Sequence, residues 1–269
     1  MTGRESSAVP AASSGQYRER NSTADKALDI LGLFSDERLS LSGQEVAQAL
    51  GTARSTAYRY LQSLVAGGFL EEDPRGGFRL GMRVLELARL ARRRYGLSEI
   101  AVPVMEKLCE QVQETVLLTR RSGTRAICLE KCEAGHAVRI SYERGGVLPV
   151  NAGAAALVLL AWLPKEEARR LLESEPLQRF TARTLTDVDA LQARLATIRR
   201  EGQCVTWSEL DEDVLGVAAP VFDASGSVVS ALSIAALERR VPDSRLEEVV
   251  SAVREAAAQV TTQLELATA

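Results

Sequence analysis

The chain has 269 residues, 46% of them apolar and 26% charged, with a formal charge of −3. That balance is the one expected of an ordinary soluble globular protein, and the negative sign at first argues against a nucleic-acid partner. No apolar run approaches the ~18–20 residues a membrane helix needs, and the opening Met1-Thr2-Gly3-Arg4-Glu5-Ser6-Ser7 has no apolar h-region, so neither a membrane partner nor a secretory signal is expected and the cytoplasm is the predicted compartment.

Residues 1–20 are rich in Ser, Ala and Gly from Ser6 to Gln16 and have little to bury, which predicts a mobile tail. Asn21-Ser22-Thr23 offers caps for a helix over 24–34, with Ala27, Leu28, Leu31 and Phe34 as its apolar stripe. In 42–50, Val46, Ala47 and Leu50 fall at helical spacing, and Gly51 supplies a permissive turn. A second helix starts near Ala53. It turns Ala57, Leu61, Leu64 and Val65 inward, leaving Arg54, Ser55, Thr56, Tyr58, Arg59 and Gln62 on its other faces. Phe69-Leu70-Glu71-Glu72 and Gly77-Phe78-Arg79-Leu80 alternate as strands around the turn Asp73-Pro74-Arg75-Gly76.

Helix, turn, helix and hairpin in that order predict a winged helix-turn-helix over 21–81, with its second helix in the major groove of DNA. The exposed residues of that helix suit phosphates and base edges, Arg59 first among them; Arg75 and Arg79 on the hairpin would reach the adjacent backbone. Packing against the wing is the competing reading for Tyr58, and local helix support for Thr56. Charge by region fits this division. Lys/Arg stand three against two Asp/Glu over 1–20, eleven against nine over 21–95, and nineteen against twenty-five over 96–269. A weakly basic head on an acidic body must rely on placed side chains and dimerisation more than on bulk charge.

Residues 82–95 read as a linker helix. Val84, Leu85, Leu87, Ala88, Leu90 and Ala91 form a wide apolar arc that invites a second copy, and Arg92-Arg93-Arg94 stands near DNA or in water. After Gly96, a rear domain over 97–269 begins with a helix over 98–113 that contains Pro103. Strand alternation follows over 115–118, 125–131 and 137–142; helices over 152–163, 165–172 and 188–201; strands over 203–207, 215–222 and 228–234; and a last helix over 243–266. This predicts an α+β domain with a largely antiparallel sheet covered by helices.

The four cysteines, Cys109, Cys128, Cys132 and Cys204, form no CxxC and are expected to be reduced. Spacing places Cys128 and Cys132 on one face of a strand. His136 is the only histidine, so a metal site lacks ligands and small buried thiols are the expected reading. The same lone histidine leaves no nucleophile-and-acid arrangement. With no P-loop and no GxGxxG, neither catalysis nor a cofactor is expected, and Asp211-Glu212-Asp213 reads as a solvated loop.

From about Ala24 to its end the chain resembles the IclR family of bacterial transcriptional regulators. The matching segments are Lys26-Ala27-Leu28-Asp29-Ile30-Leu31, Ser55-Thr56-Ala57-Tyr58-Arg59-Tyr60-Leu61, Gly68-Phe69-Leu70 with Phe78-Arg79-Leu80-Gly81, and Glu114-Thr115-Val116-Leu117-Leu118. Further along come Pro149 with the small-residue run to Leu160-Ala161, Gly202-Gln203 to Glu209, Gly216-Val217-Ala218-Ala219-Pro220-Val221-Phe222-Asp223, and Ala231-Leu232-Ser233-Ile234. The resemblance implies a GAF-like effector-binding domain behind the winged head, operator DNA as partner, and assembly as homodimers or homotetramers. It further implies a small-molecule pocket formed by Ile140, Asn151, Ala154, Ala155, Glu209, Gly216 and Ser233. Two departures remove polarity: Ala156-Leu157 stand where the family commonly has Gly-Lys, and Ala235-Ala236-Leu237 where it often has Ser-Gly-Pro. They favour an effector with an apolar or aromatic portion; the alternative is a rear domain that only oligomerises and binds no ligand.

Overall fold

The computed structural model describes residues 22–35, 37–136, 140 and 142–268. The expected tail over 1–20, the Asn21 cap and the strand reading of 137–139 and Ser141 lie outside the described residues, as do the side chains of Arg92, Arg93 and Arg94. Ile140 and Tyr142 lie in no strand. The chain divides into two compact units between Arg92 and Arg93.

The first unit opens with α1 (Ser22–Leu31), β1 (Ser40–Leu41), α2 (Gly43–Ala49) and α3 (Arg54–Ala66). Leu28 departs from the expected stripe and is 65% exposed, while Ile30 is fully buried. The core face runs through Ala27, Ile30, Leu31 and Phe34, which is the i, i+3, i+4, i+7 series and leaves Leu28 one step outside it. Ser42 caps α2 in a reciprocal box. Its hydroxyl accepts from the Glu45 N–H at 3.2 Å, and the Glu45 carboxylate accepts from the Ser42 N–H at 2.7 Å, which satisfies two orphan donors at once. Gly51 takes the positive φ of +59° that the turn requires. In α3 the buried residues are Ala57, Tyr60, Leu61 and Leu64; Val65 is only partly covered.

The wing has one strand more than its sequence pattern reveals. β2 (Leu70–Glu72) pairs antiparallel with β3 (Phe78–Leu80), and β1 adds to the other edge of β3, giving the order β1-β3-β2. Two residues are too few to show alternation, so β1 is specified by its partner. Helix α4 (Met82–Tyr95) follows, with Met82, Leu85, Leu87 and Leu90 exposed.

The second unit is a six-stranded antiparallel sheet in the order β6-β5-β4-β9-β8-β7, formed by β4 (Thr115–Ser122), β5 (Arg125–Cys132), β6 (Val147–Leu148), β7 (Cys204–Trp207), β8 (Val214–Phe222) and β9 (Val228–Leu237). Helices α5 (Leu97–Val112) and α9 (Asp243–Thr268) cover one face. On the other lies α6 (Ala154–Ala161), backed by α7 (Lys165–Glu173) and α8 (Val188–Glu201). All eight residues of α6 are buried, because a helix apolar all round must be covered on every side. With helices on both faces, β9 likewise reads as a near-continuous apolar run from Ala231 to Ala236, interrupted by Ser233.

The cysteine spacing misleads in β5. A bulge shifts the register opposite Leu118 and Thr119, and one extra residue reverses which face the following side chains take. Cys128 therefore packs with Leu117 and Ala235, whereas Cys132 packs against the α5 and α9 core. Burial pushes both thiols up to about 11 and Cys204 up to about 12, which keeps them protonated and inert.

Candidate functional site

The exposed face of α3 carries the first constellation. Arg54, Ser55, Arg59 and Gln62 are exposed and Thr56 is half-buried. Ala53, the N-cap, makes no side-chain bond, and while Thr56 N–H donates to the Ala53 carbonyl at 2.9 Å, the N–H groups of Arg54 and Ser55 are placed to meet water or an anion. The Arg54 guanidinium lies 5.6 Å from the Tyr58 ring centroid and that of Arg59 lies 5.8 Å from Tyr60, which stiffens both long side chains.

Tyr58 is half-buried, unlike the exposed Arg54, Ser55, Arg59 and Gln62. Its ring meets Phe78 of the wing edge-on at 6.0 Å and 74°, and its edge lies against Gly43 of α2. It joins α3, the wing and α2. Gln62 reaches Glu72 at 3.5 Å. On the wing, Arg79 pairs with Glu71 at 3.1 Å and Arg75 with Asp73 at 3.6 Å. Arg75 and Arg79 are themselves well exposed, although the Asp73 side chain is largely covered, so both arginines can exchange partners readily.

The second constellation is a cavity of about 40 Å³ between the N-terminus of α6 and the sheet, enough for a few waters. Of the seven residues expected there, Ala154, Ala155, Glu209, Gly216 and Ser233 line it together. Gly216 brings β8 close beneath α6: a Cβ there would stand 2.7 Å from Thr206 Oγ1 and 3.3 Å from Ala154 Cβ. Burial raises the Glu209 carboxyl above its ordinary range, with the nearby Arg194 charge opposing that shift.

Two of the seven lie elsewhere. Ile140 packs behind the cavity, on the Leu117, Cys128 and Ala235 cluster. The Asn151 amide donates to the Gln178 and Leu185 carbonyls at 2.9 and 3.2 Å. It ties the 178–185 loop to the chain just before α6, because a buried amide takes whatever acceptors close around it. Residues that the sequence pattern did not assign to the pocket complete the walls, chiefly Tyr142, Thr206, Leu210, Asp211 and Val214. Asp211 is exposed, as expected of a solvated acidic loop, yet accepts from the Tyr142 hydroxyl at 2.8 Å. Among the described residues no group of three His, Cys, Asp or Glu is placed to hold a metal ion, and no helix is long and apolar enough to cross a membrane.

Two family models cover most of the chain: the C-terminal region of the bacterial transcriptional regulator IclR over residues 90–262, and the IclR helix-turn-helix domain over residues 23–74. The chain belongs to the IclR family. Curated IclR-type relatives include the HTH-type transcriptional regulator KipR of Bacillus subtilis, 33% identical over 92% of this chain and 98% of that protein. XynR of Escherichia coli is 32% identical over 83% and 89% of the two chains. Among solved structures, an IclR homolog from Microbacterium hydrocarbonoxydans complexed with 4-hydroxybenzoate is 31% identical, with a TM-score of 0.75 over 90% of this chain and 98% of that one. The IclR transcriptional regulator of Alicyclobacillus acidocaldarius is 25% identical, with a TM-score of 0.79 over 91% and 99%. As an IclR-type protein, the chain is a transcriptional regulator with a helix-turn-helix DNA-binding domain at its N-terminal end, not an enzyme.

Proposed function

We propose that this regulator binds a specific operator as a homodimer or a dimer of dimers, and that a small molecule in the α6 cavity adjusts its affinity. The functional parts are the head over 21–81, the linker helix over 82–96 and the effector-binding and oligomerising domain over 97–269. In the head, α3 enters the major groove with Arg54, Ser55, Thr56, Arg59 and Gln62 toward phosphates and base edges, while Arg75 and Arg79 follow the adjacent backbone. Tyr58 acts by holding Arg54 and the wing in place. The exposed Met82, Leu85, Leu87 and Leu90 of α4 give a second copy an apolar face to cover.

One observation carries the effector reading: Ala154, Ala155, Glu209, Gly216 and Ser233 converge on a single cavity from three separate elements and a loop. Its walls are otherwise mainly apolar, including Leu117, Leu148, Leu210, Val214 and Ile234. A few placed polar groups in an apolar concavity are what orient a ligand with an apolar or aromatic portion. The similar Microbacterium protein solved with a single-ring aromatic acid supports that class. Effector binding can shift operator occupancy only by its differential affinity for the DNA-competent state, typically about 1–3 kcal/mol.

Fluorescence anisotropy with the duplex upstream of the protein's own gene, repeated over several salt concentrations and with 4-hydroxybenzoate among a panel of aromatic and aliphatic metabolites, tests both halves. Arg59→Ala should weaken operator binding by about 1–3 kcal/mol if the arginine pairs with a base, and should flatten the salt slope if it pairs with a phosphate. An unchanged affinity and slope sinks the contact assignment. A panel that alters neither DNA affinity nor thermal stability favours a rear domain that only oligomerises.

A further inference from the structure

Tyr142, which follows β5 in the chain, lines the cavity. Its ring packs on Leu117, Cys128 and Ala235, and its hydroxyl donates to Asp211 Oδ2 at 2.8 Å across 69 residues of sequence. Both residues line the cavity, as do the polar Thr206, Glu209 and Ser233. Much of the remaining wall belongs to α6 and to the paired strands β4, β6, β7, β8 and β9, whose displacement breaks helix or ladder hydrogen bonds, while Ala152, Gly153, Glu209, Leu210 and Asp211 lie in loops. Tyr142 lies in neither helix nor strand, and its hydroxyl is held to the exposed Asp211 by one bond. Turning this ring aside breaks that bond and no helix or ladder bond, and so admits a guest larger than a few waters at low cost.

What replaces the ring is constrained by what it leaves behind. An ionised carboxylate only accepts hydrogen bonds, and the acidic groups among the described lining residues are Asp211 and Glu209. A guest presenting a carboxylate at this end meets like charge; one presenting a hydroxyl or amine restores the lost bond. We propose that Tyr142 is a built-in occupant of the donor subsite of the effector cavity, latched to Asp211, and that the effector carries a hydroxyl or amine that takes over this bond. The inference rests on the cavity being the effector site.

The tyrosine side chain cut free is p-cresol, and toluene is the same ring without the hydroxyl. In full-length Tyr142→Ala protein, calorimetric titration should give p-cresol about tenfold or more over toluene, the size expected of a hydrogen bond to a charged group. Adding Asp211→Ala should remove most of that preference. Equal binding of the two rings, failure of both to bind folded Tyr142→Ala protein, or a preference that survives the loss of Asp211 overturns the proposal.

Should Tyr142→Ala not fold, Tyr142→Phe and Asp211→Ala test the latch alone. Each should speed amide hydrogen exchange at 153–156 and 206–211 severalfold while leaving α9 unchanged, and unaltered exchange in both overturns it. Neither experiment involves DNA. Failure of the latch leaves effector control standing, and a silent metabolite panel in the operator assay leaves the latch standing.

Discussion

Gly43→Ala is the substitution whose consequence follows most directly from the geometry of the head. A Cβ on Gly43 would stand 2.6 Å from Tyr58 Cζ and 3.0 Å from Cδ2, and nearer still to Cε2. Carbon atoms in contact settle at about 3.5–4.0 Å, so the ring must retreat by roughly 1 Å. It is not free to do so. Phe78 meets it edge-on at 6.0 Å and the Arg54 guanidinium lies 5.6 Å from its centroid, contacts worth about 0.5–1.5 kcal/mol and about 0.5–1 kcal/mol. Overpacking of this kind costs about 1–3 kcal/mol. Alanine returns at most about 1 kcal/mol of helix propensity, and less at the first position of α2. The net expectation is a loss of about 1–2 kcal/mol, or about 4–8 °C in Tm per kcal/mol for a unit of this size.

Calorimetry on the full chain, with hydrogen exchange across α2 and α3 to localise the change, measures that loss. Operator affinity should fall with it, because Arg54 moves with the ring. The decisive comparison is a double-mutant cycle. If the ring is the obstacle, Tyr58→Ala and Gly43→Ala together should cost less than the sum of the single changes by about 1 kcal/mol or more. Additivity within about 0.5 kcal/mol, or a neutral Gly43→Ala, refutes the reasoning.

Glu209→Gln should raise stability near neutral pH. Burial holds this carboxyl above its ordinary range, so the folded state favours its neutral form, and the penalty appears as pH rises from the ordinary glutamate value through the raised one. The stability gap between the variant and the parent should therefore close at acid pH; a gap independent of pH in denaturant titrations counts against it. Asn151→Ala removes the buried amide that bonds the carbonyls of exposed Gln178 and half-buried Leu185 and should lower stability by about 0.5–1.5 kcal/mol for each bond lost; an unchanged denaturation midpoint would show that the amide is not a strut. Gly216→Ala forces a methyl group against Thr206 and Ala154, with an expected cost of about 1–3 kcal/mol. The same change should abolish effector response, and full response in the anisotropy assay would mean that the guest binds elsewhere.

The two groups of candidate residues were not equally legible in the sequence. Arg54, Ser55, Arg59 and Gln62 could be placed on one exposed surface because a helix repeats every 3.6 residues, and the spacing of Ala57, Leu61 and Leu64 fixes its buried side. The cavity residues entered through family resemblance. Periodicity says nothing about which loops meet above a sheet, so it read Tyr142 as part of a strand and Asp211 as part of a solvated loop and assigned neither to the cavity. Leu28 and Ile30 show the limit of pattern within a helix: both suit an apolar stripe, and contact with the rest of the head selected the second. Cys128 and Cys132 show it within a strand, where one bulged residue reversed the parity that the spacing implied.

Sequence alone determined most of the order of helices and strands, though not β1 or β6 and with a strand expected over 137–142 where Ile140 and Tyr142 lie in none, together with the two-part organisation and the exposed chemistry of α3, since these follow from local periods and turn residues carried in contiguous stretches. Tertiary structure alone decided the partner of β1, the β5 bulge, the inward placement of Tyr58, the structural use of Asn151 and the meeting of Tyr142 with Asp211 in the cavity wall. Each depends on segments far apart in the chain, and the free energy of such contacts belongs to the pair and is written in neither residue's neighbourhood.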